Sequence, residues 1–149
     1  MILSRKTFVA FWGKVVVTFF QFDFFIVKTH TTKIAFSYLE QMIIVVNHFL
    51  LRKGVNGMAL WPFVLMKDKR LKNDVTFLNH EKIHLKQQLE LLIIPFYLWY
   101  VLEFLLRWIQ YGNRHRAYRN ISFEREAYSK EKDLQYLHRR SFWRFLYYL

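Results

Sequence analysis

Cysteine is absent from this chain, which excludes a disulfide scaffold and any thiolate metal site. A metal bound here would have to be held by imidazole and carboxylate, a donor set that suits catalytic zinc without excluding other divalent ions. Turn formers are scarce, with 4 glycines and 2 prolines, and that favours long helices. Acidic residues are also few, 11 against 23 lysines and arginines, for a formal charge of +12. What the chain has in quantity is apolar surface. Hydrophobic residues make up 54% of it and aromatics 20%, too much for a disordered chain. At 149 residues it is expected to form one domain with a true core.

A basic surface beside aromatics suits an anionic membrane or nucleic acid. Nine of the basic residues fall between 111 and 149, with four acids among them (Glu124, Glu126, Glu131 and Asp133). That mixture reads as a solvated helical face rather than a polyanion site, so nucleic acid is not the expected partner. Two runs approach the length of a membrane span. "FVAFWGKVVVTFFQFDFFIV" (8–27) is interrupted by Lys14 and Asp23, each costing about 2.5–3.5 kcal/mol near a bilayer centre. "LLIIPFYLWYVLEFLLRWI" (91–109) carries Pro95, Glu103 and Arg107. Its two charges are four apart and can pair on one helix face, so it reads as a buried or interfacial helix. No small-residue cleavage site follows the first run, so no cleavable signal peptide is expected. The expected location is cytoplasmic or peripheral to the cytoplasmic membrane.

The first 41 residues are Phe-rich and lack clear periodicity, and Met42 precedes the better-patterned region. Residues 1–41 are therefore expected to be an extension without a fold of its own, with the domain at 42–149. A peptide from 15–28 in the mass spectrum of the native protein would sink the idea that translation begins at Met42. Residues 43–51 and 58–66 read as strands joined by the turn residues of 52–57 into a hairpin, with Pro62 marking an edge or bulge. Asn73 or Asp74 caps a helix that continues to Ile94, and Pro95 breaks it. A second helix is expected from Phe96 to Gln110, a loop at 111–120, a third helix from Ile121 to Arg140, and an aromatic tail at 141–149 that packs as helix. The fold class is α+β, mainly helical: a short hairpin or small sheet, then three helices.

Within the first helix lies His80-Glu81-Lys82-Ile83-His84. Positions i and i+4 share a helix face, so both imidazoles can meet one ion at about 2.0–2.1 Å. Glu81 is rotated about 100° from His80 around the axis. There its carboxylate can take a proton from a metal-bound water without itself ligating. Proteins without metal also contain this pattern, but a helix following a hairpin is the context that a zinc hydrolase needs. A third protein ligand is wanted, and "NISFEREAYSKE" (120–131) supplies carboxylates. Glu124 and Glu126 lie about 200° apart on a helix, so only one is expected to face the first helix. The apolar stripe of Phe123, Ala127, Leu134 and Leu137 lies slightly nearer Glu126, so helical phase does not choose Glu124. Gln87 and Gln88 could hydrogen-bond near the site, though surface positions are the slightly favoured reading.

His80-Glu81-x-x-His84 followed by Glu124-Arg125-Glu126-Ala127 resembles the gluzincin metallopeptidases, in particular the prenyl-protein protease and heat-shock membrane protease group. The chain is also similar, over about 58–149, to a small bacterial branch carrying "ALWPF", "NHEKIHLKQQLELL" and "FEREAY". The resemblance implies one zinc per chain held by His80, His84 and Glu124, with Glu81 as general base. It departs where that group has Asp and this chain has Tyr128. Tyr128, His115 and Tyr118 are candidates for steadying an oxyanion. The implied activity is peptide-bond hydrolysis, with a peptide or protein substrate. The alternative is a non-catalytic metal-binding or basic aromatic protein acting at a membrane surface or on a protein partner.

Overall fold

The computed structural model describes residues 42–51 and 53–149. Residues 1–41, and with them the 8–27 run and the expectation about Met42, lie outside the described residues. Three strands, β1 (Ile43–Val46), β2 (Gly57–Leu60) and β3 (Phe63–Met66), form a sheet in the order β1-β3-β2. The pairing differs from the expected hairpin of 43–51 with 58–66. The second segment is itself the hairpin, folded at Trp61 and a cis Pro62, while β1 runs parallel to β3. Pro62 has no N–H to give a ladder and takes the corner, where its carbonyl accepts from Ile43 at 3.0 Å. β1 stops early because the Asn47 side chain accepts the backbone N–H groups of Phe49 and Leu50 and turns the chain.

One sheet face (Ala59, Val64, Met66) packs on Leu85 of α1 (Val75–Leu91). A 3-10 turn at Lys69–Asn73 leads into α1. Of the two candidate caps, Asp74 does the work: its side chain accepts from the Phe77 N–H at 3.0 Å. The expected break at Pro95 lies instead at Leu92, whose φ is 58°. From there α2 (Ile93–Tyr111) leaves at a bend of 111°. Pro95 falls in the first turn of α2, where a missing N–H leaves no helical bond unmade. Among the described residues no single helix is long and apolar enough to cross a membrane.

Gly112, at φ 62°, closes α2 in the left-handed conformation and bonds back to the Trp108 carbonyl at 2.8 Å. The expected loop at 111–120 contains a short helix, α3 (Arg114–Arg119), capped by Asn113. The expected helix from Ile121 to Arg140 is two, α4 (Ser122–Lys130) and α5 (Tyr136–Arg139). Its interruption has a partner: Asn79 of α1 donates to the carbonyls of Glu131 and Asp133 at 2.9 and 3.1 Å. The tail folds back as a 3-10 turn, Arg144–Tyr148, and buries Phe145 completely. Phe145 packs at a tilt on Phe123, with 4.5 Å between ring centroids, and edge-to-face on Trp99 at 5.4 Å. This aromatic core presses α4 against α2. The expected Glu103–Arg107 pair forms, buried, at 3.2 Å. Glu103 also accepts from the Ser122 N–H and hydroxyl at 3.0 and 2.6 Å. It thereby satisfies the start of α4, which has no side-chain cap of its own.

Candidate metal centre

α1 buries a polar stripe. His80, His84 and Gln87 share a face at helical spacing, and Glu81 and Gln88 lie beside it; all five are buried. The surface reading of the two glutamines is corrected here. Gln88 is absorbed by the sheet, donating to the Ala59 carbonyl at 3.0 Å and accepting from the Trp61 N–H at 2.9 Å. Gln87 fixes a histidine. Its amide nitrogen donates to the Phe123 carbonyl and to Glu126, which leaves its oxygen to accept from His84 Nδ1 at 2.8 Å. On the other ring, His80 Nδ1 lies 2.9 Å from the Glu131 carboxylate.

Those two bonds decide the tautomers. A carboxylate and an amide oxygen only accept, so both Nδ1 atoms carry the proton and both neutral rings present an Nε2 lone pair. The two Nε2 atoms face each other at 3.1 Å. Glu124 closes the triangle, with Oε1 at 3.4 Å from His84 Nε2 and Oε2 at 3.6 Å from His80 Nε2. Tetrahedral bonds of about 2.0–2.1 Å require ligand atoms about 3.3 Å apart. The two nitrogens, and each nitrogen with its nearer Glu124 oxygen, stand close to that value, while one ligand atom from each of the three residues lies within 4.8 Å of the others. Two imidazole nitrogens and the Glu124 carboxylate converge in a buried space, and Glu124 Oε2 has no hydrogen-bond partner among the described residues. The group is thus a receptor for positive charge, and His80, His84 and Glu124 could hold a metal ion.

Electrostatics agree. With no cation bound, burial works against protonation of His84, but the Glu124 and Glu81 carboxylates outweigh it and raise its pKa to about 9. Burial would raise Glu124, yet the two histidines pull it well below the ordinary carboxylate range. Glu81 goes the other way. Burial raises its pKa, only partly offset by the histidines and by a backbone bond from Ala59. Its Oε2 is buried and has no hydrogen-bond partner among the described residues.

Compared with known protein families, curated proteins and solved structures, the chain matches none.

Glu126 is also buried and also reaches α1, contrary to the expectation that only one of the two carboxylates would. It meets Gln87 at 3.0 Å and is neutralised by the buried Arg140, whose Nη2 lies at 3.1 Å. Arg140 bonds Glu90 of α1 as well. The ion network occupies Glu126 and leaves Glu124 to the histidines. Of the candidate oxyanion donors, Tyr128 packs its ring edge against His80 at 4.6 Å. Tyr118 lies 3.4 Å from the Tyr128 hydroxyl, and burial together with Glu124 pushes its own hydroxyl far above the ordinary range. His115 is exposed on α3 and is not brought to the group.

Two residues in the centre went unread in the sequence. Tyr100 of α2 donates to Glu124 Oε1 at 2.7 Å; nothing in an aromatic-rich helix marks one tyrosine from the rest. Glu131 had a signal, for it stands seven residues after Glu124 and so on nearly the same helix face. Gly57 opens β2 against the centre. A Cβ there would lie 2.2 Å from the Phe77 ring and 3.1 Å from Glu81 Oε1, so the close approach of strand to helix requires glycine.

Proposed function

We propose that the protein is a zinc-dependent metallopeptidase. The observation that carries this reading is the convergence of His80 Nε2, His84 Nε2 and the Glu124 carboxylate in one buried space, beside a buried Glu81 with an uncommitted oxygen. The likeness of His80-Glu81-x-x-His84 and Glu124 to the gluzincin pattern supports it. Zinc held by these three residues supplies Lewis acidity to a peptide carbonyl and lowers the pKa of a water. Glu81, its proton affinity raised by burial, accepts the proton of the attacking water and returns it to the leaving amine. Glu131 and Gln87 hold the imidazoles in one tautomer and orientation. Tyr118, whose hydroxyl lies beside that of Tyr128 and is held protonated by burial and Glu124, is the donor proposed for the developing oxyanion of the carbonyl. His80, Glu81, His84 and Glu124 are only 3–7% exposed, so a polypeptide reaches Glu81 only when covering side chains move aside.

The test is Glu81→Gln. The amide fits the helix but cannot accept a proton, so this variant is expected to retain one zinc per chain and lose cleavage of a casein or peptide-library substrate. Full cleavage by the variant would remove Glu81 as the base. Zinc bound by a wild-type protein that cleaves nothing would favour the alternative, a metal-retaining protein without catalysis.

A further inference from the structure

α2 has two faces of different character. Towards the core it presents Phe96, Trp99, Glu103 and Arg107, all buried. Opposite them run Ile94, Leu98, Val101, Leu102, Leu105 and Ile109, which are 42–82% exposed. Those positions fall within about 100° of arc at 100° per residue, so they form one stripe about 22 Å long at 1.5 Å per residue. The only charged residues of the helix are Glu103 and Arg107, and both are on the buried face. Isolated exposed leucines need no explanation, but a contiguous apolar face of this length does.

Its surroundings indicate the occupant. Past the C-terminal end of α2, α3 carries Arg114, Arg116 and Arg119, all exposed. The Arg114 guanidinium lies 4.4 Å from the ring of Trp108, and Arg116 lies 5.1 Å from that of Tyr111. An uncharged stripe flanked by indole, phenol and guanidinium groups has the make-up of a helix lying in a lipid interface, its apolar face towards the acyl chains and its aromatic and basic groups at headgroup level. A second copy of the chain fits this charge pattern less well, because it would bring together two bodies of formal charge +12.

We propose that the stripe of α2 docks the protein peripherally on an anionic lipid bilayer, with Arg114 and Arg116 at the headgroups. Tyr100 reaches Glu124 from the other side of α2. Docking therefore leaves the metal centre facing away from the lipid, about one helix diameter, ~10 Å, above it. The inference goes beyond the hydrolytic reading and does not depend on it, since the measurement below reports lipid contact alone.

The chain has no cysteine, so a single one can be placed in the full-length protein and labelled with an environment-sensitive nitrobenzoxadiazole. Leu105→Cys reports from the stripe, and Lys132→Cys, exposed beyond α4, is the control. With phosphatidylcholine–phosphatidylglycerol vesicles the label at 105 is expected to shift to the blue and brighten several-fold, and the label at 132 to stay unchanged. Phosphatidylcholine alone should give a much weaker response. Leu98→Gln with Leu102→Gln should weaken vesicle binding by about tenfold or more. Four results would each overturn the proposal: no response at 105, an equal response at 132, an equal response to uncharged vesicles, or binding undiminished by Leu98→Gln with Leu102→Gln. Vesicle binding with a silent label at 105 would transfer the contact to another part of the chain, such as residues 8–27. A response that needs protein concentration and no lipid would make the stripe an interface between copies.

Discussion

His80 and His84 point their Nε2 atoms at each other across 3.1 Å, while Glu131 and Gln87 hold the opposite nitrogens. Neither ring can relieve the meeting of lone pairs by changing tautomer without breaking its outer hydrogen bond. The space between them is therefore suited to positive charge, as a metal ion or as a proton on His84.

The two carboxylates of α4 should separate in mutagenesis. Glu124→Gln is expected to weaken zinc binding by about tenfold or more, the scale of changes around a metal. Glu126→Gln should act chiefly on stability, because it leaves the buried Arg140 with Glu90 as its one carboxylate partner. Titration with a zinc-buffered chelator and urea unfolding distinguish the two. Equal losses of affinity, or the larger loss at Glu126, would move the third ligand along the helix.

Glu131→Gln keeps the side-chain volume but takes the charge from His80 Nδ1. Zinc affinity should fall by about 10–100-fold, as for other partners of ligating histidines, with the far-UV spectrum unchanged. Unaltered affinity would show that Glu131 does not orient the ring.

Metal-stripped protein should lose stability as the pH rises. In the folded chain His84 has its pKa raised to about 9 from an ordinary 6.5, chiefly by Glu124 acting against burial. A raised basic group stabilises the fold fully below 6.5, and that contribution fades as pH climbs through 9. A zinc ion in the proposed site would displace the proton, so loaded protein should gain affinity and stability over the same range. Urea midpoints of chelated and zinc-loaded protein at pH 6 and pH 9 check the sign. A chelated protein more stable at pH 9 than at pH 6 would contradict it.

Gly57→Ala sets a methyl group against the Phe77 ring. Such overpacking is expected to cost about 1–3 kcal/mol and to displace the strand from Glu81, lowering cleavage as well as stability. A variant as stable as the parent would mean that β2 does not press on α1 as described.

The sequence by itself determined what depends on neighbours along the chain. The i, i+4 spacing put His80 and His84 on one face, Asp74 was legible as a cap, and Glu103 paired with Arg107 one turn away. Each of these is closed within a helical turn, where backbone geometry alone brings the groups together. Tertiary structure decided the rest. Helical phase left Glu124 and Glu126 unresolved, because the choice depends on Arg140 coming back from the end of the chain to occupy Glu126. Gln87 and Gln88 read as surface residues because their partners, Phe123, Glu126, Ala59 and Trp61, lie 27 to 39 positions away. The strand pairing differs from the expected hairpin for the same reason: β1 pairs directly with β3, parallel, and not with β2, the strand that follows it in sequence. Long-range burial sets which polar groups must be satisfied and by whom, and one-dimensional spacing carries no record of it.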